Sequence, residues 1–303
     1  LITWVLLEEE RRRGRVSLRN FYVRRSLRIF PAFYVALVVI VVLVPSSWGP
    51  LTDAHVQSAA LYYSNYYQAV HGSTHGALSH FWSLAVEEQF YVLWPGLFLL
   101  VPRHRALALM ALVAAVWWQR YVVCWDEARL EWAYHALDCR ADHVLVGGLV
   151  AVLVHEGRLT WLWRALCGRP FRMVLTSGVL VLLSVLPGFL GKEFRLGVAF
   201  YLEPWLISAL LLQFVAYHGH RSTRWLSWRP LVWFGQVSYA VYLYHLLAMD
   251  LVGRLWPGSS GLVQFVPVLV LSGLMAQLSW MVIEQPAQRL RGRLSAASPP
   301  PGA

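Results

Sequence analysis

The chain has 303 residues, of which 58% are hydrophobic and 14% charged, and a formal net charge of +10. A mean hydropathy of +0.49 is too apolar for a soluble domain of this length. The arginines fall between apolar stretches rather than on one soluble basic face, which excludes nucleic-acid binding and gives the charge a membrane explanation.

The opening LITWVLL is the tail of a hydrophobic span, and the arginine-rich loop 8–28 follows it. Eight apolar stretches then approach the ~20 residues needed to cross a ~30 Å hydrocarbon core. They lie near 29–45, 80–101, 106–123, 142–155, 172–190, 197–217, 231–253 and 262–283. With 8–28 cytoplasmic, alternation of the loops puts 20 of the 26 Lys and Arg inside, as the positive-inside rule expects. The loops 46–79 and 124–141 then face outward, and 156–171 and 218–230 face inward. Sixteen tryptophans and fourteen tyrosines suit interfacial belts. The expected architecture is an all-α polytopic transmembrane helical bundle of about eight full spans plus a partial first span. It occupies 1–293, and 294–303, with its PPP, reads as a disordered tail. The missing initiator Met and the shortened first span indicate a segment ahead of Leu1. There is no internal repeat and no metal cluster: the eleven histidines, His71 and His75 among them, are scattered. Cys124 and Cys139 share an outer loop where a disulfide is one option, and Cys167 is cytoplasmic.

Arg25 and Arg28, three apart on a helix entering the membrane, share a face. Paired guanidinium groups match phosphate, so they suit a phosphorylated donor such as a CoA thioester; the competing role is lipid anchoring. The run FWSLAVEEQFYVLWP, Phe81 to Pro95, sets Glu87 and Glu88 inside an aromatic apolar stretch. A charge in a span is costly and ordinarily faces a protein interior or a watery cavity. Ser83, Glu87 and Tyr91 follow at i, i+4 and i+8, with His80 one short turn earlier. Glu87 is therefore expected inward, and Glu88, about 100° round the helix, is expected to be the more tolerant. The run DCRADHVLVGG alternates Asp138, Arg140 and Asp142, a self-neutralising cap or an anion contact, before Gly147 and Gly148 permit close helix approach. Ser238, Tyr242 and His245 share a face at i, i+4 and i+7. Glu284 precedes a Gln-Pro breaker, where it can pair with Arg28 or Arg289.

In family order, four blocks resemble the acyltransferase-3 family of integral membrane acyltransferases. These are LLEEERRRGRVSLRNFYVRRSLRIFPAFYV, HFWSLAVEEQFYVLWP, DCRADHVLVGGLVAVL and GQVSYAVYLYHLL with MVIEQPAQRLR, and they span nearly the whole chain. The resemblance implies a ten-helix bundle in the membrane, moving an acyl group from cytoplasmic acyl-CoA to a sugar hydroxyl. It implies that Arg25 and Arg28 are the family's paired arginines. It also implies that a basic residue and a histidine ten positions later, on a first helix, belong ahead of Leu1.

The expected function is membrane O-acyl (acetyl) transfer to a hydroxyl of a cell-surface or secreted glycan, with acyl-CoA as co-substrate and no bound cofactor. The partners are that glycan or a lipid-linked saccharide, acyl-CoA and the bilayer. Glu87, His80, Glu88 and Ser83 are the candidate catalytic groups, and Arg25 and Arg28 hold the donor. Arg140, Asp138, His245, Tyr242 and Glu284 serve as substrate-facing or structural polar groups. The rival readings are a proton-coupled transporter, against which stands the lack of an inverted repeat, and a membrane scaffold left inactive without the first helix.

Overall fold

The computed structural model describes residues 1–43, 51–72, 76–258 and 260–296, with side chains as far as Leu290. His75 lies outside the described residues. Every regular element among the described residues is helical. In chain order these are α1 (Ile2–Arg13), α2 (Leu18–Leu43), α3 (Asp53–Ala60), α4 (Ser64–His71), α5 (Phe81–Leu100), α6 (Arg105–Cys124), α7 (Leu130–His135) and α8 (Leu137–Arg140). There follow α9 (Asp142–His155), α10 (Thr160–Cys167), α11 (Phe171–Val185), α12 (Pro187–Phe194), α13 (Phe200–Ala216), α14 (Arg229–Leu255), α15 (Gly261–Ser279) and α16 (Gln285–Ala296). α16 thus covers the start of the expected tail, and 297–303 lie outside the described residues.

Four helical stretches among the described residues are long and apolar enough to cross a membrane: Leu18–Leu43, Arg105–Cys124, Pro187–Ala216 and Gly261–Leu290. A fifth arises if α9 and α10, bent by 110° at their junction, count together. The expected count of about eight spans is not reproduced, and the reasons are local. Glu87, Glu88 and Gln89 dilute α5, while Gln236, His245, Asp250 and Arg254 dilute α14. α11 is apolar but only 15 residues long, because Pro187 cannot continue it. The chain restarts there and runs to Ala216, through a π-helical turn at Arg195–Ala199.

The chain divides into two compact units. The first comprises Leu1–Val16, Asn65–Ser73 and Trp82–Trp225. Its centre is α9, which packs against α1, α6 and α13. Leu145, Val146, Leu149 and Val152 of α9 and Leu109, Val113 and Val116 of α6 are buried at helical spacing. At Gly148 a Cβ would meet Thr3 Oγ1 at 3.0 Å, so this glycine lets α1 close on α9; Gly147 has nothing within 4 Å. Arg105 also ties α1 down, donating to both carboxylate oxygens of Glu10 at 2.6 and 2.9 Å. Cys124 and Cys139 are free thiols, so the disulfide option is not taken.

The second unit comprises Ser17–Ser64, Thr74–Phe81 and Leu226–Ala303. Here α14 packs on α15 and on α2, and α16 returns to α2. Phe33 stacks on Tyr62 at 4.4 Å and meets Phe81 at 5.1 Å, an aromatic seam that joins α2 to the turn before α5. Trp233 Nε1 donates to Gln277 Oε1 at 2.6 Å and locks the α14–α15 register.

Candidate functional site

In the second unit, the aromatic seam at Phe33 and Phe81 fixes the turn that carries His80, one residue ahead of α5. His80 is buried, and its ring lies 4.8 Å from that of His245 and 5.1 Å from that of Tyr242. The Tyr242 hydroxyl donates to the His80 carbonyl at 2.8 Å. His245 Nδ1 lies 2.7 Å from the Tyr242 carbonyl oxygen. A carbonyl only accepts, so Nδ1 carries a proton, and the neutral form of this ring is the tautomer with its lone pair on Nε2. Burial, then the neighbouring His245, holds the His80 imidazole down at about 3, so it stays neutral. His80, Tyr242 and His245 are thus brought together although they come from two separate motifs. Ser238 does not join them; its hydroxyl donates back to the Gly235 carbonyl.

Arg25 and Arg28 sit on α2, Arg25 half-buried and Arg28 exposed. Glu284 is buried at the end of the π-helical turn Trp280–Glu284, 3.4 Å from Ser279 Oγ, and Arg28 is the cation that acts on it. Of its two expected partners, Arg28 is thus the one in evidence.

In the first unit the two acids of α5 exchange places. Glu87 is exposed and accepts from the Tyr91 hydroxyl at 3.0 Å, while Glu88 is buried at 8% exposure. Glu87 and Tyr91 share a face at i, i+4, but it is the outer one. The inward stripe is Leu84, Ala85 and Glu88, all buried. Ser83, half-buried, lies off that stripe. Gln89 instead exchanges two hydrogen bonds with Asn65, at 2.9 and 3.2 Å.

The self-neutralising cap expected around α8 does not form as an Arg140 ion pair. Asp138 accepts from Gln119 and Trp132, both at 3.1 Å. Asp142 pairs with the fully buried Arg120 at 2.7 Å and also accepts from Trp117 Nε1 at 3.0 Å. Arg140 pairs with neither acid; it lies over the Phe200 ring at 3.8 Å, and burial pushes its guanidinium down to about 10. His143 and Glu203 are site residues that sequence reasoning missed. His143 Nδ1 meets Asp142 Oδ1 at 2.9 Å, and its Nε2 faces Glu203 at 3.7 Å. The available signal was His143 immediately after Asp142; nothing local points to Glu203, on another helix.

The helices of the described residues, several of them long and apolar enough to cross a membrane, define a multi-pass membrane protein. A model described as an acyltransferase domain matches residues 1–283, and the chain belongs to this acyltransferase-3 family. Among its relatives, YrhL of Bacillus subtilis (strain 168) is 27% identical over 317 residues, 94% of this chain and 48% of the relative. The peptidoglycan O-acetyltransferase OatA of Listeria monocytogenes serovar 1/2a is 26% identical over 318 residues, 95% of this chain and 49% of the relative. The O-acetyltransferase OatA of Staphylococcus aureus (strain NCTC 8325) is 26% identical over 322 residues, 95% of this chain and 50% of the relative. The chain therefore spans about half the length of the curated relatives it matches. No solved structure matches it.

Proposed function

We propose that the chain performs the membrane step of O-acyl transfer, moving an acetyl group from cytoplasmic acyl-CoA to a hydroxyl of a cell-surface glycan of the peptidoglycan type. The observation that carries this reading is His245, whose Nδ1 is committed to the Tyr242 carbonyl beside the neutral His80. The relatives' names supply the glycan and the acetyl group.

In this reading His245 Nε2 takes the proton of the acceptor hydroxyl as its oxygen attacks the thioester carbonyl. The new C–O bond forms, the tetrahedral oxyanion collapses, the C–S bond breaks, and the CoA thiolate leaves with the proton that His245 returns. The Tyr242 hydroxyl holds the backbone of His80, so both rings keep one geometry through the step. Arg25 and Arg28 hold the donor's phosphates, where a guanidinium fork is the better match than an ammonium. On α5 this reading keeps Glu88, which is buried, and drops Glu87, which is exposed.

Membranes containing the protein, given labelled acetyl-CoA and a peptidoglycan acceptor, test the proposal. Base-labile label on the glycan, lost in His245→Gln, is the expected result. Label-free glycan with a normally inserted protein would refute it.

A further inference from the structure

Phe200 is fully buried at the start of α13, and three guanidinium groups of the first unit gather around its ring. Arg140 lies 3.8 Å, Arg195 5.4 Å and Arg120 5.7 Å from the ring centre. Arg120 is neutralised by Asp142. Arg140 and Arg195 form no ion pair among the described residues, and Arg140 Nη1 and Arg195 Nε are sequestered without a hydrogen-bond partner. His143 Nε2, on the same ring's edge, is in the same position.

Donors of this strength are not ordinarily left unsatisfied away from water, and like charges converge only where something negative joins them. Glu203 acts on both arginines across the cluster, but its ion-pair contact is with His143 at 3.7 Å and it pairs with neither guanidinium. Tyr134 connects the cluster to open space: Arg140 and Arg195 lie 5.8 and 5.7 Å from its ring. Tyr134 and Arg195, with Glu131 and Lys192, line a cavity of about 410 Å³. That is the size of a small-ligand pocket. Lys192 there is engaged by Glu131 at 3.3 Å, so the cations without an ion-pair partner beside this cavity are the two arginines.

We propose that Arg140 and Arg195 bind one compact oxyanion, a carboxylate or a phosphate, carried on the acceptor saccharide, with the Tyr134 ring as the wall along which the sugar lies. This rests on the glycan-acceptor reading above and adds to it that the acceptor is acidic. The two planar forks grip the oxyanion, and the aromatic face takes the apolar side of the ring.

Titration of tryptophan fluorescence in phosphatidylcholine nanodiscs, with no acyl donor present, provides the test. Glucuronate and glucose 1-phosphate are expected to saturate, and glucose to bind about tenfold more weakly or worse. Arg140→Gln and Arg195→Gln are each expected to lower acidic-sugar affinity by about tenfold or more. Arg195→Lys keeps the charge and recovers part of it, which separates lost binding from lost folding. Arg224→Gln, at an exposed position of the 3₁₀ turn Arg221–Ser227, leaves affinity unchanged. Equal affinity for glucose and glucuronate, or indifference to Arg140→Gln, overturns the proposal. So does loss of all sugar binding when phosphatidylglycerol replaces phosphatidylcholine, which assigns the site to a lipid headgroup. Acidic-sugar binding by a protein that transfers no acyl group sinks only the function reading. Acyl transfer with equal affinity for neutral sugars sinks only this one.

Discussion

The Tyr242 hydroxyl donates to the backbone carbonyl of His80 at 2.8 Å, so a helix side chain supports a loop 162 positions earlier in sequence. That bond places the neutral imidazole of His80 beside the His245 ring, whose Nδ1 is held by the Tyr242 carbonyl. His245→Gln should lower the turnover number for acetyl transfer by about 10²- to 10⁴-fold, the usual worth of a general base. Tyr242→Phe should cost stability, about 0.5–1.5 kcal/mol, and should lower turnover less. Steady-state kinetics on membranes with matched protein levels would decide, and wild-type turnover in His245→Gln would remove that residue from the chemistry.

Glu88 should be the sensitive acid on α5. Glu88→Ala removes a buried polar group and is expected to cost about 1–3 kcal/mol, while Glu87→Gln disturbs only a surface bond to Tyr91 and stays under about 1 kcal/mol. Thermal unfolding of the two variants in detergent makes the comparison. A larger loss in Glu87→Gln would reverse the assignment of faces.

Replacing Arg28 with Lys keeps the charge and removes the fork. The apparent Michaelis constant for acetyl-CoA is expected to rise several-fold, by about 1 kcal/mol of binding, with turnover less affected. An unchanged constant would leave Arg28 with its electrostatic tie to Glu284 and no role toward the donor.

Arg120 and Asp142 are both fully buried, and their coupling can be measured. Arg120→Met alone strands a carboxylate and is expected to cost about 3–5 kcal/mol. Combining it with Asp142→Leu should recover much of that loss, because no uncompensated charge then remains. A double variant as unstable as the two single losses added together would show that the pair is not coupled.

Much of the fold was legible because helix and membrane signals are local. The alternation of apolar runs with arginine clusters marks the helices, and Gly148 marks the close approach of α1 to α9. The number of membrane-crossing stretches was less legible, since Pro187 moves a helix boundary and polar residues on α5 and α14 dilute otherwise apolar runs. On α5 the spacing placed Ser83, Glu87 and Tyr91 on one face correctly but could not say which face is buried. That is decided by whether Leu84, Ala85 and Glu88 or Glu87 and Tyr91 find packing partners far away in sequence. Arg140 was singled out, yet its company was not: Asp142 goes to Arg120, and Arg195 and Phe200 arrive from sequence more than 50 residues later. Clusters assembled across helices leave no periodic trace in any one segment.

The bend between α9 and α10 limits how far α9 can reach. Its 14 residues extend about 21 Å at ~1.5 Å per residue, well short of a ~30 Å hydrocarbon slab. α10, turned aside by 110° with Trp161, Trp163 and Arg164 on it, does not lengthen that reach. Enclosed by α1, α6 and α13, this short helix leaves the remaining hydrocarbon depth to be closed by those neighbours rather than by α9 itself.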